Sequence, residues 1–262
     1  MSKKICRFLS PGGEASYGLI DGETVYPVTA VQVFSSSRAR APWSTEGLAL
    51  AEVKLLAPVV PSKIVCVGRN YRDHAAELGN PMPAEPLLFL KPPSAVAAHG
   101  DAIELPHVSA RVEHEGELGV VIGRRARRIG DSENPLDYVL GYTCVNDVTA
   151  RDLQKLDVQF TRAKSFDTFC PVGPYLVAGV DPFDLQVETR VNGETRQRGR
   201  TAAMAFPVAY LIRYISHVMT LEPGDLISTG TPAGVGPLAD GDVCEVEVEN
   251  VGTLRSNVRA GA

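Results

Sequence analysis

Three acids stand within the five residues Glu113-His114-Glu115-Gly116-Glu117. In a strand, alternate residues share a face, so Glu115 and Glu117 would project together. Adjacent carboxylates repel one another unless a cation or water compensates. The run continues into Leu118-Gly119-Val120-Val121-Ile122, apolar on both faces and therefore expected to be buried. Carboxylates entering a buried sheet need neutralising, and a hard divalent cation taking oxygen ligands would do this. The competing reading is an acidic strand in water. Glu245-Val246-Glu247-Val248-Glu249 has that form, with valines on one face and acids on the other.

Asp147 follows an apolar run, Val139 to Val145, and precedes Thr149-Ala150-Arg151-Asp152, which has capping-box spacing. Either Asp147 or Thr149 would then cap a helix. Such a junction also presents carboxylates to active sites, and both hold if one residue caps while the other binds a cation. His74 and Glu77, three apart on a short predicted helix, are a carboxylate orienting an imidazole or simply a surface pair. Lys164, in Arg162-Ala163-Lys164-Ser165-Phe166, has smaller and more aromatic neighbours than a typical solvated lysine. The turn Ser228 to Gly236 could offer backbone N–H groups to a carboxylate but lacks the phosphate-loop pattern of nucleotide sites. Arg124 to Arg128, without interleaved aromatics, reads as a solvated turn rather than an RNA patch.

These residues need a frame. Short apolar runs from Ile5 to Val28, cut by Pro11-Gly12-Gly13 and Asp21-Gly22, predict a β meander, followed by a polar loop from Ser35 to Thr45. A second unit begins near Val53. Its predicted elements are strands at Ile64 to Gly68, Val112 to Gly123 and Val139 to Val145, and helices at Asp73 to Leu78, Ala150 to Leu156 and Phe206 to Met219. Val187 to Arg196 is a predicted hairpin turning at Asn192-Gly193. The fold class is α+β and β-dominated, with a small N-terminal β module over residues 1–55 and a catalytic domain over 56–262.

Composition narrows the function. A formal charge of −5 over 262 residues argues against nucleic acid or an anionic membrane as partner, though not against a small anionic substrate. Five scattered cysteines with no C-x-x-C pair suggest neither zinc nor a disulfide framework, and each reads as a small buried hydrophobe. The start, Met-Ser-Lys-Lys, lacks the apolar stretch of a signal peptide, and the best apolar run, Ala209 to Met219, is broken by Arg213 and His217. A reduced, cytoplasmic setting is expected.

The order of the motifs is more specific than any one of them. Val65-Cys66-Val67-Gly68-Arg69-Asn70-Tyr71 with His74-x-x-Glu77, then Leu88-Phe89-Leu90-Lys91-Pro92, resembles the fumarylacetoacetate hydrolase superfamily. So do His114-Glu115-Gly116-Glu117-Leu118, Asn146-Asp147-Val148-Thr149-Ala150-Arg151-Asp152-Leu153-Gln154, Ala163-Lys164-Ser165-Phe166-Asp167 and Thr229-Gly230-Thr231-Pro232-Ala233-Gly234. The resemblance implies a mixed β-roll core, usually paired as a homodimer. It also implies Mg2+, or Mn2+, held by Glu115, Glu117 and Asp147. His74 and Glu77 would be a catalytic dyad on a lid that orders with ligand, Lys164 would face the substrate, and Arg69, Gln154, Gly230 and Thr231 would contact it. Val67 stands where longer members carry a further acidic ligand, which disfavours fumarylacetoacetate itself. The implied reaction is C–C cleavage next to a 2-oxo acid, either acylpyruvate-type hydrolysis or oxaloacetate decarboxylation. The alternatives are a 2-hydroxyhepta-2,4-diene-1,7-dioate isomerase of aromatic catabolism, or a silent ligand-binding protein on the same fold.

Overall fold

The computed structural model describes residues 3–10, 12–34 and 46–261; the predicted polar loop, 35–45, lies outside them. The expected meander forms. Lys3–Leu9, Ala15–Asp21 and Thr24–Val28 are consecutive antiparallel strands, and Lys3–Leu9 pairs with Cys170–Ala178. The N-terminal strands therefore continue the large sheet of the chain. That sheet runs on through Val139–Asn146, Gly116–Ile122, Leu226–Ser228 and Ile64–Gly68 to Leu87–Lys91.

Gly116–Ile122 lies well inside this sheet, and all of its residues are buried, as its two-sided apolar pattern requires. Leu118, Val120 and Ile122 pack on one side, and Val121 on the other. The first core is closed by a second sheet, Glu194–Arg200, Gln186–Val191, Val243–Val248, Gly252–Ala260 and Ala102–Leu105, and by the helix Val208–Val218. That helix buries Val208, Leu211, Ile212 and Ile215, the spacing of one helical face, and begins directly after Pro207. Each such side chain contributes roughly 1.5–3 kcal/mol of burial, so the strand that carries the acids sits on the best-packed part of the molecule.

The hairpin turns at Asn192-Gly193, both in the left-handed region at φ 54° and 80°, as an Asn-Gly turn demands. In Val243–Val248 the buried residues alternate with half-buried Glu245 and Glu247, which pair with Arg190; this is the half-buried acidic strand its pattern predicts. All five cysteines are buried and free. Arg124 and Arg125 lie in an exposed turn, Arg124 over the Tyr138 ring and Arg125 on Glu222.

Two expectations fail. The predicted single strand Val112 to Gly123 is two strands, Val112–His114 and Gly116–Ile122, broken at Glu115. The first pairs with Thr149–Ala150 and Gly236–Pro237 in a small separate sheet. The predicted capping box is also absent. The helix Arg151–Leu156 starts after Ala150 with no side-chain cap, and the Thr149 hydroxyl donates to the Asp147 carbonyl instead. Local spacing suggested the cap; pairing of Thr149 with Glu113 drew the residue into a strand.

Candidate active site

The break at Glu115 is what assembles the site. In the antiparallel pair of the large sheet, Gly116 lies opposite Asn146 and Glu117 opposite Val145. One step beyond the ladder, Asp147 N–H donates to the Glu115 carbonyl at 2.9 Å, and Glu115 N–H donates to the Asn146 side chain at 2.9 Å. Register thus brings Asp147 beside Glu115. Their carboxylates and that of Glu117, all buried, lie with ligand atoms within 4.8 Å of one another. Gly116 allows this because a Cβ there would fall 2.0 Å from the Thr189 hydroxyl of the second sheet.

The counter-charges are equally buried. Lys91, whose side chain has no exposed surface, donates to Asp147 Oδ1 at 2.5 Å and to the Val148 carbonyl at 3.2 Å. Lys164 donates to Glu115 Oε2 at 3.0 Å, Asp147 Oδ2 at 2.5 Å and the Thr149 hydroxyl at 2.8 Å. Arg151 bridges Glu113 and Glu115 and donates through Nη1 to Gln154 at 2.6 Å. Burial would raise the Glu115 carboxyl, but Lys164 and Arg151 beside it hold it well below the usual carboxylate range. The same carboxylates hold the Lys164 ammonium above its ordinary value despite burial. Glu117 differs. Its partners are the Ser228 hydroxyl and the Gly230 N–H, both neutral, so burial and the nearby Asp147 charge push it up to about 8.

That asymmetry is the test of whether the trio suits a metal ion. Four buried carboxylates (Glu113, Glu115, Glu117, Asp147) face three buried cations (Lys91, Arg151, Lys164). Arg111, more than half exposed, also pairs with Glu113, so the deficit is local: Glu117 alone of the four carboxylates has no cationic partner among the described residues. Three hard oxygen donors around that deficit fit a divalent cation such as Mg2+ or Mn2+.

The trio forms one wall of a cavity of about 400 Å³. His74 and Glu77, on the helix Arg72–Glu77, line the same cavity. His74 is buried, its Nδ1 3.4 Å from Glu77, and Glu77 accepts a 3.0 Å hydrogen bond from Gly234 N–H. The burial of His74 does not fit a solvated surface pair, although Glu77 itself is exposed. Arg69, held at φ 56°, Gln154, Lys155 and Thr231 also line the cavity, with Phe89 and Phe160 packed edge to face at 5.6 Å. Two residues expected to touch substrate are committed elsewhere. Gly230 turns its N–H to Glu117, and the Thr231 hydroxyl donates to the Gly116 carbonyl while accepting from Gln197.

Lys91, Arg151, Glu113 and Gln197 were given no role on sequence grounds. A lysine ending the apolar run Leu87-Leu88-Phe89-Leu90 is a signal that could have been read. Nothing in the polar stretch around Gln197 marks it.

Fold and site together define a β-dominated α+β protein with three buried carboxylates that could hold a metal ion. Residues 63–259 match the C-terminal domain of fumarylacetoacetate (FAA) hydrolase, and residues 3–58 match the Rv2993c-like N-terminal domain. The chain belongs to the fumarylacetoacetate hydrolase family, in its short branch. It is 48% identical to oxaloacetate tautomerase YisK of Bacillus subtilis, over 80% of this chain and 74% of that protein. It is 43% identical to mitochondrial oxaloacetate tautomerase FAHD1 of Bos taurus, over 74% of this chain and 90% of that one. The crystal structure of 2-hydroxyhepta-2,4-diene-1,7-dioate isomerase from Mycobacterium marinum superposes with a TM-score of 0.88 at 43% identity, covering 98% of both chains. No helix among the described residues is long and apolar enough to cross a membrane.

Proposed function

We propose that this protein is a divalent-cation-dependent enzyme that forms an enolate from a small 2-oxo acid carrying a second carboxylate. Interconversion of the enol and keto forms of oxaloacetate is its first candidate reaction. The observation that carries this reading is the placement of His74 and Glu77 in one cavity with the buried trio Glu115, Glu117 and Asp147. The tautomerase names of the relatives at 48% and 43% identity favour oxaloacetate over other 2-oxo acids.

A divalent cation held by the trio would supply a Lewis acid beside the 2-oxo oxygen as the neighbouring carbon loses a proton or a bond. The chain's own residues supply the rest. Glu77, held by Gly234 N–H, orients the His74 ring through Nδ1, leaving Nε2 to move a proton at the carbon next to the oxo group. With a cation bound, the site would be net positive, since Arg69 and Lys155 at the cavity wall outnumber Glu77 there. That excess suits an anionic substrate. Phe89, Phe160 and Leu78 narrow the space open to water.

The same machinery supports a second reading. If His74 took its proton from water, the site would cleave an acylpyruvate, and loss of CO2 from oxaloacetate would need no proton acceptor at all. Isomerisation of a 2-hydroxydiene dioate, the activity named for the Mycobacterium marinum structure, would use His74 in the same proton-moving role. Pairing as a homodimer belongs to the same proposal and is checked by light scattering.

The experiment is a turnover screen of enol oxaloacetate, acetylpyruvate, fumarylpyruvate and 2-hydroxyhepta-2,4-diene-1,7-dioate, with EDTA and with Mg2+ or Mn2+ restored. We expect loss with EDTA and recovery with either metal. His74→Ala should lower proton transfer and hydrolysis by about 100-fold or more, leaving a measurable residual rate, while sparing decarboxylation. Turnover indifferent to EDTA, or none of the four consumed, would end the proposal.

A further inference from the structure

Gln197 is fully buried in a strand, Glu194–Arg200, whose other residues are exposed or half-exposed. Its amide uses four hydrogen bonds. Oε1 accepts from Gly116 N–H at 3.0 Å and from His114 Nδ1 at 3.0 Å; Nε2 donates to the Thr231 hydroxyl at 2.7 Å and the Pro232 carbonyl at 2.7 Å. The orientation of the amide is forced, since a backbone N–H only donates and a carbonyl only accepts. The Thr231 hydroxyl passes on to the Gly116 carbonyl at 2.8 Å, closing a ring around the residue between Glu115 and Glu117.

The loop so anchored reaches the dyad within three residues. Gly234 donates its N–H to Glu77, and Glu77 faces His74 Nδ1. Gly234 is also clamped against the strand that carries Gln197. At φ 101°, a Cβ on it would stand 2.1 Å from the carbonyl of Arg196. One side chain therefore ties the backbone of the acidic strand to the loop that holds the dyad.

We propose that Gln197 is a positioning residue that sets the span between the acidic trio and His74. This rests on the reading of His74 and Glu77 as the proton-transfer pair. Glu115 and Asp147 keep their own clamps in Lys91, Arg151 and Lys164, and Glu117 keeps the Ser228 hydroxyl, so Gln197 acts chiefly on placement of the dyad.

The test uses the full chain with saturating Mg2+ and enol oxaloacetate as probe. Gln197→Met removes all four hydrogen bonds. Gln197→Glu keeps shape and the acceptor face toward Gly116 and His114 but loses the donors to Thr231 and Pro232. Both variants should lose at least about tenfold in kcat while the Mg2+ Kd from calorimetry stays within about threefold, because tethers of this kind act through geometry. In a His74→Ala background either substitution should add less than about twofold, since residues acting through one group are not additive. If Gln197→Met does not fold, Gln197→Glu carries the same comparison. A Mg2+ affinity that falls in step with kcat, or a full tenfold loss persisting in His74→Ala, overturns the role given to Gln197. A His74→Ala enzyme as active as the parent instead removes the dyad reading, and the positioning role with it.

Discussion

Lys91→Met isolates the charge balance of the site. The Lys91 side chain is 0% exposed and that of its partner Asp147 is 2% exposed, so removing the ammonium leaves the buried Asp147 with Lys164 alone, which it shares with Glu115. Breaking a buried ion pair from one side costs about 3–5 kcal/mol. For a chain of this size each kcal/mol moves Tm by roughly 2–4 °C, so Tm in EDTA should fall by about 6–20 °C. The second half of the prediction runs the other way. Without Lys91 the buried cluster loses one of its positive charges, so its demand for a divalent cation rises. A tenfold tightening of Mg2+ binding would add about 1.4 kcal/mol of ligand-linked stability at saturation. Mg2+ should therefore raise the Tm of Lys91→Met by several degrees more than it raises that of the parent, as read by thermal melts in EDTA and in millimolar Mg2+. A parental Tm in EDTA would refute the buried ion pair as a support of the fold. A Mg2+ shift no larger than the parent's would refute the charge-balance argument.

Three further outcomes follow from the site. Glu117 is raised to about 8, so below that pH the metal-free protein holds a proton there that a divalent cation must displace. Mg2+ affinity should climb from pH 6 to 8 and level off above, with proton release seen by calorimetry in buffers of different ionisation enthalpy; affinity flat across that range contradicts it. Glu115→Gln should weaken Mg2+ binding by more than the roughly 10–100-fold expected of a supporting residue, and unchanged affinity would exclude Glu115 as a ligand. Gly116→Ala should destabilise the fold by about 1–3 kcal/mol through its 2.0 Å approach to Thr189, measured by denaturant unfolding; a neutral result would mean the second sheet yields there freely.

What could be read from the chain alone was what obeys a local period. Alternation placed Glu115 and Glu117 on one face and set the acids of 245–249 apart as half-buried. A two-sided apolar run marked Gly116–Ile122 as buried, and Asn192-Gly193 marked its hairpin. The order of motifs named the trio, the dyad and Lys164 through resemblance. The tertiary structure decided what no window spans. Lys91 meets Asp147 across 56 residues and Arg151 meets Glu115 across 36, contacts fixed by strand register and sheet order. The break at Glu115 and the uncapped start of Arg151–Leu156 have the same origin, because the competing hydrogen bonds come from segments distant in sequence. Gln197 shows the limit most plainly. In a strand of glutamate, threonine and arginines its polarity signals solvent, and only the packing of a loop and a second sheet around it makes it a buried tether.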